Sequence, residues 1–186
     1  MKDHFDLAAR FYERVIPPPD PAKLVDLLRL PTAGLLLDAG GGTGRVAGAL
    51  RPFVGGVVVS DLSLGMLRQA GQKEGLHTLR AHAERLPFPD ASFGRIVVVD
   101  ALHHFCSQEA AIADLLRVLR PGGRLVIEEP DVTRLAVKVV AIAEKLALMR
   151  SRFLTPQRIG ELAASHGALA EIRRGTRFRA WVVVER

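Results

Sequence analysis

The feature that most constrains the fold is a short apolar strand that runs directly into a glycine-rich turn. The strand is predicted from Gly34 to Leu37, it ends at Asp38, and a helix begins at about Arg45. Three glycines of the turn stand at alternate positions: Gly40, Gly42 and Gly44. Glycine adopts backbone angles that other residues avoid and lets the chain approach a ligand closely. A strand, a glycine turn and a helix N-terminus predict an α/β domain with a ligand site at this turn.

Strand and helix signals alternate along the rest of the chain. Further strands are predicted at Val54–Ser60, Leu76–Ala81, Phe93–Val99, Arg124–Glu128, Leu169–Arg174 and Arg177–Glu185. Other helices are predicted at Asp3–Ile16, Ala22–Leu30, Ser63–Lys73, Gln108–Leu119 and Thr133–Met149, and from Pro156, behind its cap Thr155, to about Gly167. Apolar strands separated by helices predict a doubly wound, mostly parallel, seven-stranded sheet. The short turn before the last strand predicts an antiparallel C-terminal strand at the sheet edge.

Composition limits the classes of protein to which the chain can belong. Its 186 residues predict a single domain over 1–186. Cys106 is the only cysteine, which excludes an internal disulfide and a cysteine-rich zinc site and favours a reducing, cytoplasmic location. The sequence shows neither a signal peptide nor a membrane-spanning stretch. Arginines make up 21 of the 26 basic residues and asparagine is absent, which fits a heat-adapted protein or GC-rich coding.

Three ligand classes compete for the glycine turn. A nicotinamide cofactor site usually has the spacing G-x-G-x-x-G, whereas the spacing here is G-x-G-x-G. A phosphate-binding loop would end in Gly-Lys followed by Ser or Thr, but Gly44 is followed by Arg45. S-adenosylmethionine (SAM) carries an ammonium group that an acid directly before the glycines can bind, and Asp38 is that acid. A tight turn that binds no ligand is the remaining alternative.

A second acid stands at the end of the second strand. Asp61 follows the first turn glycine by about 20 residues, a spacing at which a carboxylate accepts hydrogen bonds from ribose hydroxyls. Nucleotide dehydrogenases share this feature, so Asp61 indicates a ribose without deciding which cofactor carries it. Leu62, the next residue, could pack against an adenine face.

Five segments in order carry a family resemblance. They are Leu36–Gly44, Asp61–Leu67, His82–Asp90, Asp100–His104 and Leu116–Gly123, and Phe5–Tyr12 adds a sixth, weaker one. In these segments the chain resembles the class I SAM-dependent methyltransferases, and most closely the branch that contains the ubiquinone/menaquinone C-methyltransferases. The resemblance extends along most of the chain. It implies a Rossmann-like methyltransferase fold, with residues 1–30 as an N-terminal helical lid.

The resemblance also implies SAM as the cofactor and assigns its site. The residues implied to bind it are Asp38, Ala39, Gly40, Gly42, Gly44, Asp61, Leu62, Met66, His82, Ala83, Asp100 and Tyr12. The turn and Asp38 would hold the methionine part, Asp61 the ribose and Leu62 the adenine. The family usually has Asp where this chain has His82, and a histidine accepts from the adenine amino group only when it is neutral.

Methyl transfer mainly requires in-line positioning of the acceptor and exclusion of water, because the sulfonium methyl group is already electrophilic. A base is optional, and histidine is the usual one near neutral pH. The first candidates for a base are His103 and His104, which follow the fourth strand, and the next candidates are Tyr12 and Glu129. His104 is the preferred substrate-facing residue, and a packing role for either histidine is the alternative. No residue pattern predicts a metal site.

The sequence favours a small apolar or aromatic acceptor that is methylated on carbon or oxygen. Enzymes that methylate amino groups of DNA or protein amides often carry a Pro-Pro-aromatic run after the fourth strand, whereas Asp100 is followed here by Ala101. The 5% aromatic content gives few stacking platforms for nucleic acid. The predicted helix Thr133–Met149 has a wide apolar surface, suited to packing on the sheet, covering an acceptor, contacting a membrane transiently or forming a homodimer.

Two alternatives stay open. The chain could be a SAM-binding regulatory or partner subunit without transfer activity. The net charge of +6 also permits a tRNA or other nucleic-acid methyltransferase, although a solvated arginine-rich surface explains the charge equally well. The arginines that crowd the C-terminal third are Arg150, Arg152, Arg158, Arg173, Arg174, Arg177 and Arg179.

Overall fold

The structure, a computed structural model, describes residues 20–133, 152–175 and 179–186. Its strands are β1 (Thr32–Ala39), β2 (Val54–Asp61), β3 (Leu76–Arg80), β4 (Phe93–Val99), β5 (Leu119–Pro130), β6 (Leu169–Arg174) and β7 (Arg179–Glu185). Its α-helices are α1 (Pro21–Leu27), α2 (Arg45–Leu50), α3 (Leu64–Ala70), α4 (Gln108–Val118) and α5 (Pro156–Ser165), with short 3-10 helices at Arg51–Phe53 and Leu102–His104. None of these helices is long and apolar enough to cross a membrane. The predicted helices 3–16 and 133–149 fall outside the described residues, apart from Thr133.

All seven strands belong to one sheet, in the order β3-β2-β1-β4-β5-β7-β6. The neighbours from β3 to β5 pair in parallel, and β7 runs antiparallel to both β5 and β6. The predicted mostly parallel sheet with an antiparallel C-terminal hairpin is therefore confirmed. The C-terminal strand is not itself at the edge, however, because β7 inserts between β5 and β6. Residues 182–184 of β7 are buried, whereas Leu169 of β6 is 77% exposed, so the more apolar strand takes the inner place.

Side-chain caps and one irregular pairing set the boundaries of the elements. Four helices begin behind a side chain that accepts a backbone hydrogen bond: Asp20, Ser63, Ser107 and Thr155. Helix α4 ends at Val118, and β5 begins at the next residue, five positions before the predicted strand. The pairing of β4 with β5 shifts its register between Phe93 and Arg95, and Gly122 takes a φ of 70°. The Pro-Gly-Gly turn therefore lies within the strand and not before it.

Two apolar clusters cover the two faces of the sheet. Leu37 and Ile96 belong to the cluster that contains residues of α4 and α5. Leu36 and Val97 belong to the cluster that contains residues of α1, α2 and α3. Successive strand residues point to opposite faces, so these adjacent pairs show directly that both faces are buried. The sheet is doubly wound, as the apolar strands predict.

Helix α1 is part of the core. Three leucines at its end are fully buried: Leu24, Leu27 and Leu28. The side chains of Arg95 and Arg124 donate to the backbone carbonyls of Leu28 and Leu27, which satisfies carbonyl groups at the helix C-terminus. Residues 21–28 of the predicted lid therefore pack as part of the core on this face of the sheet, and the lid itself stays a prediction. The rest of the predicted lid, residues 1–19, lies outside the described part of the chain.

The topology places a crevice beside β1. This strand pairs with β2 on one side and with β4 on the other, so the connections that follow β1 and β4 diverge at their carboxyl ends. Such a switch point is where doubly wound sheets bind ligands. The glycine turn and the histidine pair both lie at this end of the sheet.

Candidate active site

A cavity of about 200 Å³ opens at the carboxyl ends of β1, β2 and β4. The residues predicted from the sequence that line it are Gly40, Gly42, Asp61, Leu62, Met66, Ala83, Asp100 and His104. The lining residues that were not predicted as site residues are Ser60, Ser63, Ala81, Glu84, Ala101, Phe105 and Cys106. The structure thus brings the glycine turn, the acid after β2 and a histidine after β4 to one cavity.

Gly40 and Gly42 play different parts in shaping the cavity. Gly40 has a φ of 72°, and a Cβ atom there would stand 2.6 Å from the Cβ of Ala101. Gly42 has a φ of 54°, and the nearest heavy atom to a Cβ there would be the sulfur of Met66, 3.9 Å away. Gly40 therefore permits close packing against the segment after β4, whereas Gly42 leaves open space next to the backbone.

Asp61 joins the turn to helix α3. Its Oδ2 accepts a hydrogen bond from the Gly42 N–H at 2.9 Å, and its Oδ1 accepts one from the Ser63 N–H at 2.8 Å. These two bonds fix the carboxylate at the end of β2. Each carboxylate oxygen can accept more than one hydrogen bond, so Asp61 can also accept from a pair of vicinal hydroxyl groups.

Asp38 lies behind the turn and does not line the cavity. The side chain is buried and accepts a hydrogen bond from the Ala47 N–H of α2 at 3.1 Å. Burial raises the pKa of Asp38 to about 7, with the hydrogen bond from Ala47 opposing the shift and the charge of Asp61 adding to it. The position of Asp38 suits support of the turn better than contact with a ligand.

Asp100 lines the cavity and is held by the C-terminal strand. Its Oδ2 accepts a hydrogen bond from Nη1 of Arg179 at 2.9 Å. Arg179 also pairs with Glu128, which accepts from the indole N–H of Trp181 at 2.8 Å. Burial raises the pKa of Glu128, although Arg179 opposes this effect. A network of four side chains therefore connects β7 to the cavity.

His104 lines the cavity and His103 does not. Burial, together with the neighbouring His103, lowers the pKa of His104 to about 4, so its ring is neutral at pH 7. The two imidazole rings lie with their centroids 4.0 Å apart. The ring of His103 is buried and stacks on Phe153, with a centroid distance of 4.3 Å.

Glu129 at the end of β5 anchors the short helix that carries both histidines. Its Oε1 accepts hydrogen bonds from the backbone N–H groups of Ala101 and Leu102, at 3.0 and 2.8 Å. Its Oε2 lies 2.5 Å from Nδ1 of His103, and both side chains are buried. Three contacts to one carboxylate fix the backbone turn that presents His104 to the cavity.

Besides Asp38 and His103, three of the predicted site residues do not line the cavity: Ala39, Gly44 and His82. Ala39 is fully buried in β1, and Gly44 precedes α2, where a Cβ atom would stand 2.8 Å from Leu76. The His82 side chain is 60% exposed and does not line the cavity, although Ala83 beside it does. Tyr12 lies outside the described residues.

The sequence reasoning missed Arg179 as a member of the site because no local signal marks it. Arg179 is 79 positions from Asp100, and only the antiparallel pairing of β7 with β5 brings them together. A sequence signal for Glu84 does exist, because Glu84 belongs to one of the segments that carry the family resemblance. Within residues 20–133, 152–175 and 179–186, no group of three or more His, Cys, Asp or Glu side chains could hold a metal ion.

Part of the chain is similar to proteins of a known family. Residues 37–127 match the family model of a methyltransferase domain. The chain is 35% identical over 147 residues to the ubiquinone/menaquinone biosynthesis C-methyltransferase UbiE of Coxiella burnetii. By this similarity, residues 37–127 are a methyltransferase domain. The match to the Coxiella protein covers 73% of this chain and 56% of that relative, so the chain spans about half the length of the curated relatives it matches.

Solved structures share the fold of this methyltransferase domain. A SAM-dependent methyltransferase from Thermotoga maritima superposes with a TM-score of 0.79 at 20% identity, over 97% of each chain. The [4+2]-cyclase SpnF superposes with a TM-score of 0.69 at 17% identity, over 89% of this chain and 80% of its own. The predicted α/β methyltransferase fold is confirmed, and SAM is the methyl donor that the family implies. The SpnF likeness shows that the fold alone does not specify the reaction.

Proposed function

We propose that this chain transfers the methyl group of SAM to a carbon or oxygen atom of a small apolar or aromatic acceptor. The observation that carries the proposal is a single cavity with two kinds of lining. Gly42 and Asp61 line it from the glycine-turn side, and His104 and Phe105 line it from the segment after β4. A donor and an acceptor that share one cavity can be held in line, which is the main requirement of the transfer. The relatives' name, C-methyltransferase, supports carbon as the accepting atom.

The lining fits the separate parts of SAM. Asp61 is placed to accept hydrogen bonds from the ribose, and Leu62 and Met66 offer apolar surface beside it for the adenine. The open space at Gly42 suits the methionine part. Because Asp38 lies behind the turn, Asp100 replaces it as the proposed partner of the ammonium group. When bound, SAM supplies an electrophilic methyl group on a positively charged sulfur.

His104 is the proposed substrate-facing residue. Its neutral ring can accept a hydrogen bond or a proton from the acceptor as the new methyl bond forms. A pKa of about 4 makes it a weak base, so its main contribution is to orient the acceptor. His103 serves this role indirectly, because its contact with Glu129 holds the turn on which His104 stands.

The charges of the described arginines support a small acceptor over a nucleic acid. Four of the arginines that crowd the C-terminal third form ion pairs with acidic side chains: Arg158, Arg173, Arg174 and Arg179. Paired guanidinium groups are less available to a phosphate backbone. The proposed homodimer contact over 133–149 lies outside the described residues, apart from Thr133.

A SAM-binding subunit without transfer activity is the second candidate. The exposure of His82 favours it, because the adenine contact that the family makes at this position is not directed into the cavity here. Both candidate functions require SAM binding, and they differ only in whether the methyl group of SAM is transferred to an acceptor. Binding and transfer must therefore be measured separately.

Calorimetry with SAM tests the site, and a radioactive methyl transfer assay tests the reaction. We expect the wild-type chain to bind SAM and Asp61→Ala to abolish binding, because Asp61 holds both the turn and the ribose. With SAM labelled on its methyl group, we then expect label to enter an apolar fraction of a cell extract. Binding without label in any fraction would favour the subunit without transfer activity. Absence of SAM binding in the wild type would refute both candidates.

A further inference from the structure

Asp100 reaches the cavity from a strained backbone conformation. Its φ is 50°, in the left-handed region that residues other than glycine rarely adopt. Its N–H donates to the carbonyl oxygen of Glu128 at 3.0 Å, and its side chain accepts from Arg179 at 2.9 Å. Such conformations carry a free-energy cost and persist where the surrounding contacts hold them. The orientation of Asp100 is therefore set by its partners.

Arg179 contacts two carboxylates at once. The same Nη1 atom that donates to Asp100 also donates to Oε1 of Glu128. Burial acts to lower the pKa of Arg179, but the charges of the two carboxylates overcome it and raise the pKa, so the guanidinium stays charged. With all three groups ionised, the cluster carries one net negative charge beside the cavity.

Without the guanidinium, the two carboxylates would repel each other. Asp100 follows β4 and Glu128 lies in β5, and these strands are paired, so the two backbones cannot separate without disturbing the sheet. Glu128 is 2% exposed and its Oε2 is held by Trp181, which leaves Asp100 as the member that can turn away. Like charges in one buried site favour protonation or rearrangement of one partner.

We propose that Arg179 is a positioning residue for the cofactor, because it directs the Asp100 carboxylate into the cavity and offsets the repulsion between Asp100 and Glu128. The inference rests on the proposed function, in which Asp100 is the partner of the SAM ammonium group. It extends the site to the C-terminal strand. The segment 37–127 that matches the methyltransferase family does not include this strand.

Calorimetry with SAM on three variants tests the role of charge. Arg179→Met keeps an unbranched apolar stem and removes the charged guanidinium, and we expect SAM affinity to fall about tenfold or more, as for a lost hydrogen bond to a charged group. Arg179→Lys keeps the charge without the planar fork, and we expect a smaller loss. The double variant Arg179→Met, Glu128→Gln removes the repulsion, and we expect it to recover much of the affinity lost in Arg179→Met.

Recovery by the second substitution separates positioning from packing, since a purely structural role of Arg179 would not be rescued by neutralising Glu128. Arg173→Met is the matched control on the same hairpin, where Arg173 pairs with Glu171 at 2.8 Å, and we expect wild-type affinity. The inference would be overturned if Arg179→Met bound SAM with an affinity within twofold of the wild type. It would also be overturned if the double variant folded but bound SAM no more tightly than Arg179→Met. Thermal unfolding shows whether each variant is folded. If Arg179→Met does not fold, the SAM affinity of Arg179→Lys is compared with that of the wild type instead.

Trp181 offers a second measurement, since it is the only tryptophan of the chain and donates to Glu128. We expect SAM to change its fluorescence in the wild type and to change it much less in Arg179→Met at saturating SAM. An equal change in both would contradict coupling through Arg179. A wild-type chain that binds no SAM would refute the proposed function itself, whereas wild-type binding with an unaltered Arg179→Met would refute only this inference.

Discussion

The carboxyl group of Asp38 lies directly against the backbone of Gly41. A Cβ atom on Gly41 would stand 2.6 Å from Cγ of Asp38, which is closer than real Cβ atoms approach other heavy atoms. On its other side Asp38 accepts a hydrogen bond from the Ala47 N–H of α2. The acid is thus enclosed between the turn and a helix, away from water, and it supports the cavity from behind.

Replacing Asp38 with Asn should remove a pH dependence of stability. Burial raises the pKa of Asp38 from its ordinary value of 3.8 to about 7 in the folded protein. The folded state therefore holds a proton that the unfolded state releases, and the free energy of unfolding falls as the pH rises from about 4 to about 7. The shift corresponds to at most about 4 kcal/mol.

Urea unfolding of both proteins at about pH 5 and about pH 8 measures this effect. We expect Asp38→Asn to gain stability relative to the wild type at the higher pH, because the amide carries no charge to desolvate. A difference between the two proteins that is the same at both pH values would contradict a raised pKa.

The packing at Gly40 predicts that Gly40→Ala loses SAM binding and that Gly122→Ala does not. The two glycines have nearly the same φ, 72° and 70°, so alanine costs a similar backbone strain of about 1–2 kcal/mol at either position. A Cβ atom at position 40 would stand 2.6 Å from Ala101, whereas nothing lies within 4 Å of one at position 122. Calorimetry with SAM and thermal unfolding of both variants check this. Equal loss of SAM affinity in both would show that strain, and not the contact with Ala101, is responsible.

Local sequence signals were sufficient for much of the fold. Strands β4 and β6 begin and end at the predicted residues, because each is bounded by turn residues and carries a clear strand pattern. Helix α5 begins behind Thr155 as predicted, since a threonine followed by proline satisfies two requirements of a helix start at once. The glycine turn and Asp61 also lie at one cavity, because the turn follows β1 and Asp61 ends β2. These two strands are parallel neighbours, so their carboxyl ends meet at the same edge of the sheet.

Features that depend on distant parts of the chain could not be read from the sequence. The insertion of β7 between β5 and β6 depends on competition between two neighbouring strands for burial. The role of Arg179 follows from that pairing. Whether Asp38 faces the cavity or α2 depends on how the turn folds back onto that helix. The glycine motif shows only that an acid precedes the turn.

The burial of α1 predicts a large stability loss in Leu24→Ala. Leu24 is fully buried in the cluster on the α1 face of the sheet, so truncation leaves a cavity and should lower the free energy of unfolding by about 2–5 kcal/mol. Leu169→Ala is the matched control, since Leu169 is 77% exposed and its truncation should cost less than about 0.5 kcal/mol. Urea unfolding measures both. A small loss in Leu24→Ala would indicate that α1 is loosely held, as a lid would be.

The environment of His104 predicts both a mutational and a pH effect on methyl transfer. His104→Gln should leave SAM affinity within about twofold and lower the transfer rate by about 100-fold or less, the lower end of what a general base contributes, because a ring with a pKa of about 4 acts mainly by orienting the acceptor. The pKa of about 4 means that the ring stays neutral as the pH falls from about 8 to about 6, so the rate should not decline over this range on account of His104. Initial rates with methyl-labelled SAM and the accepting fraction measure this, with the exposed His166→Gln as control. A rate that falls by half near pH 6.5 in the wild type but not in His104→Gln would show that His104 titrates at its ordinary pKa and that burial does not control it.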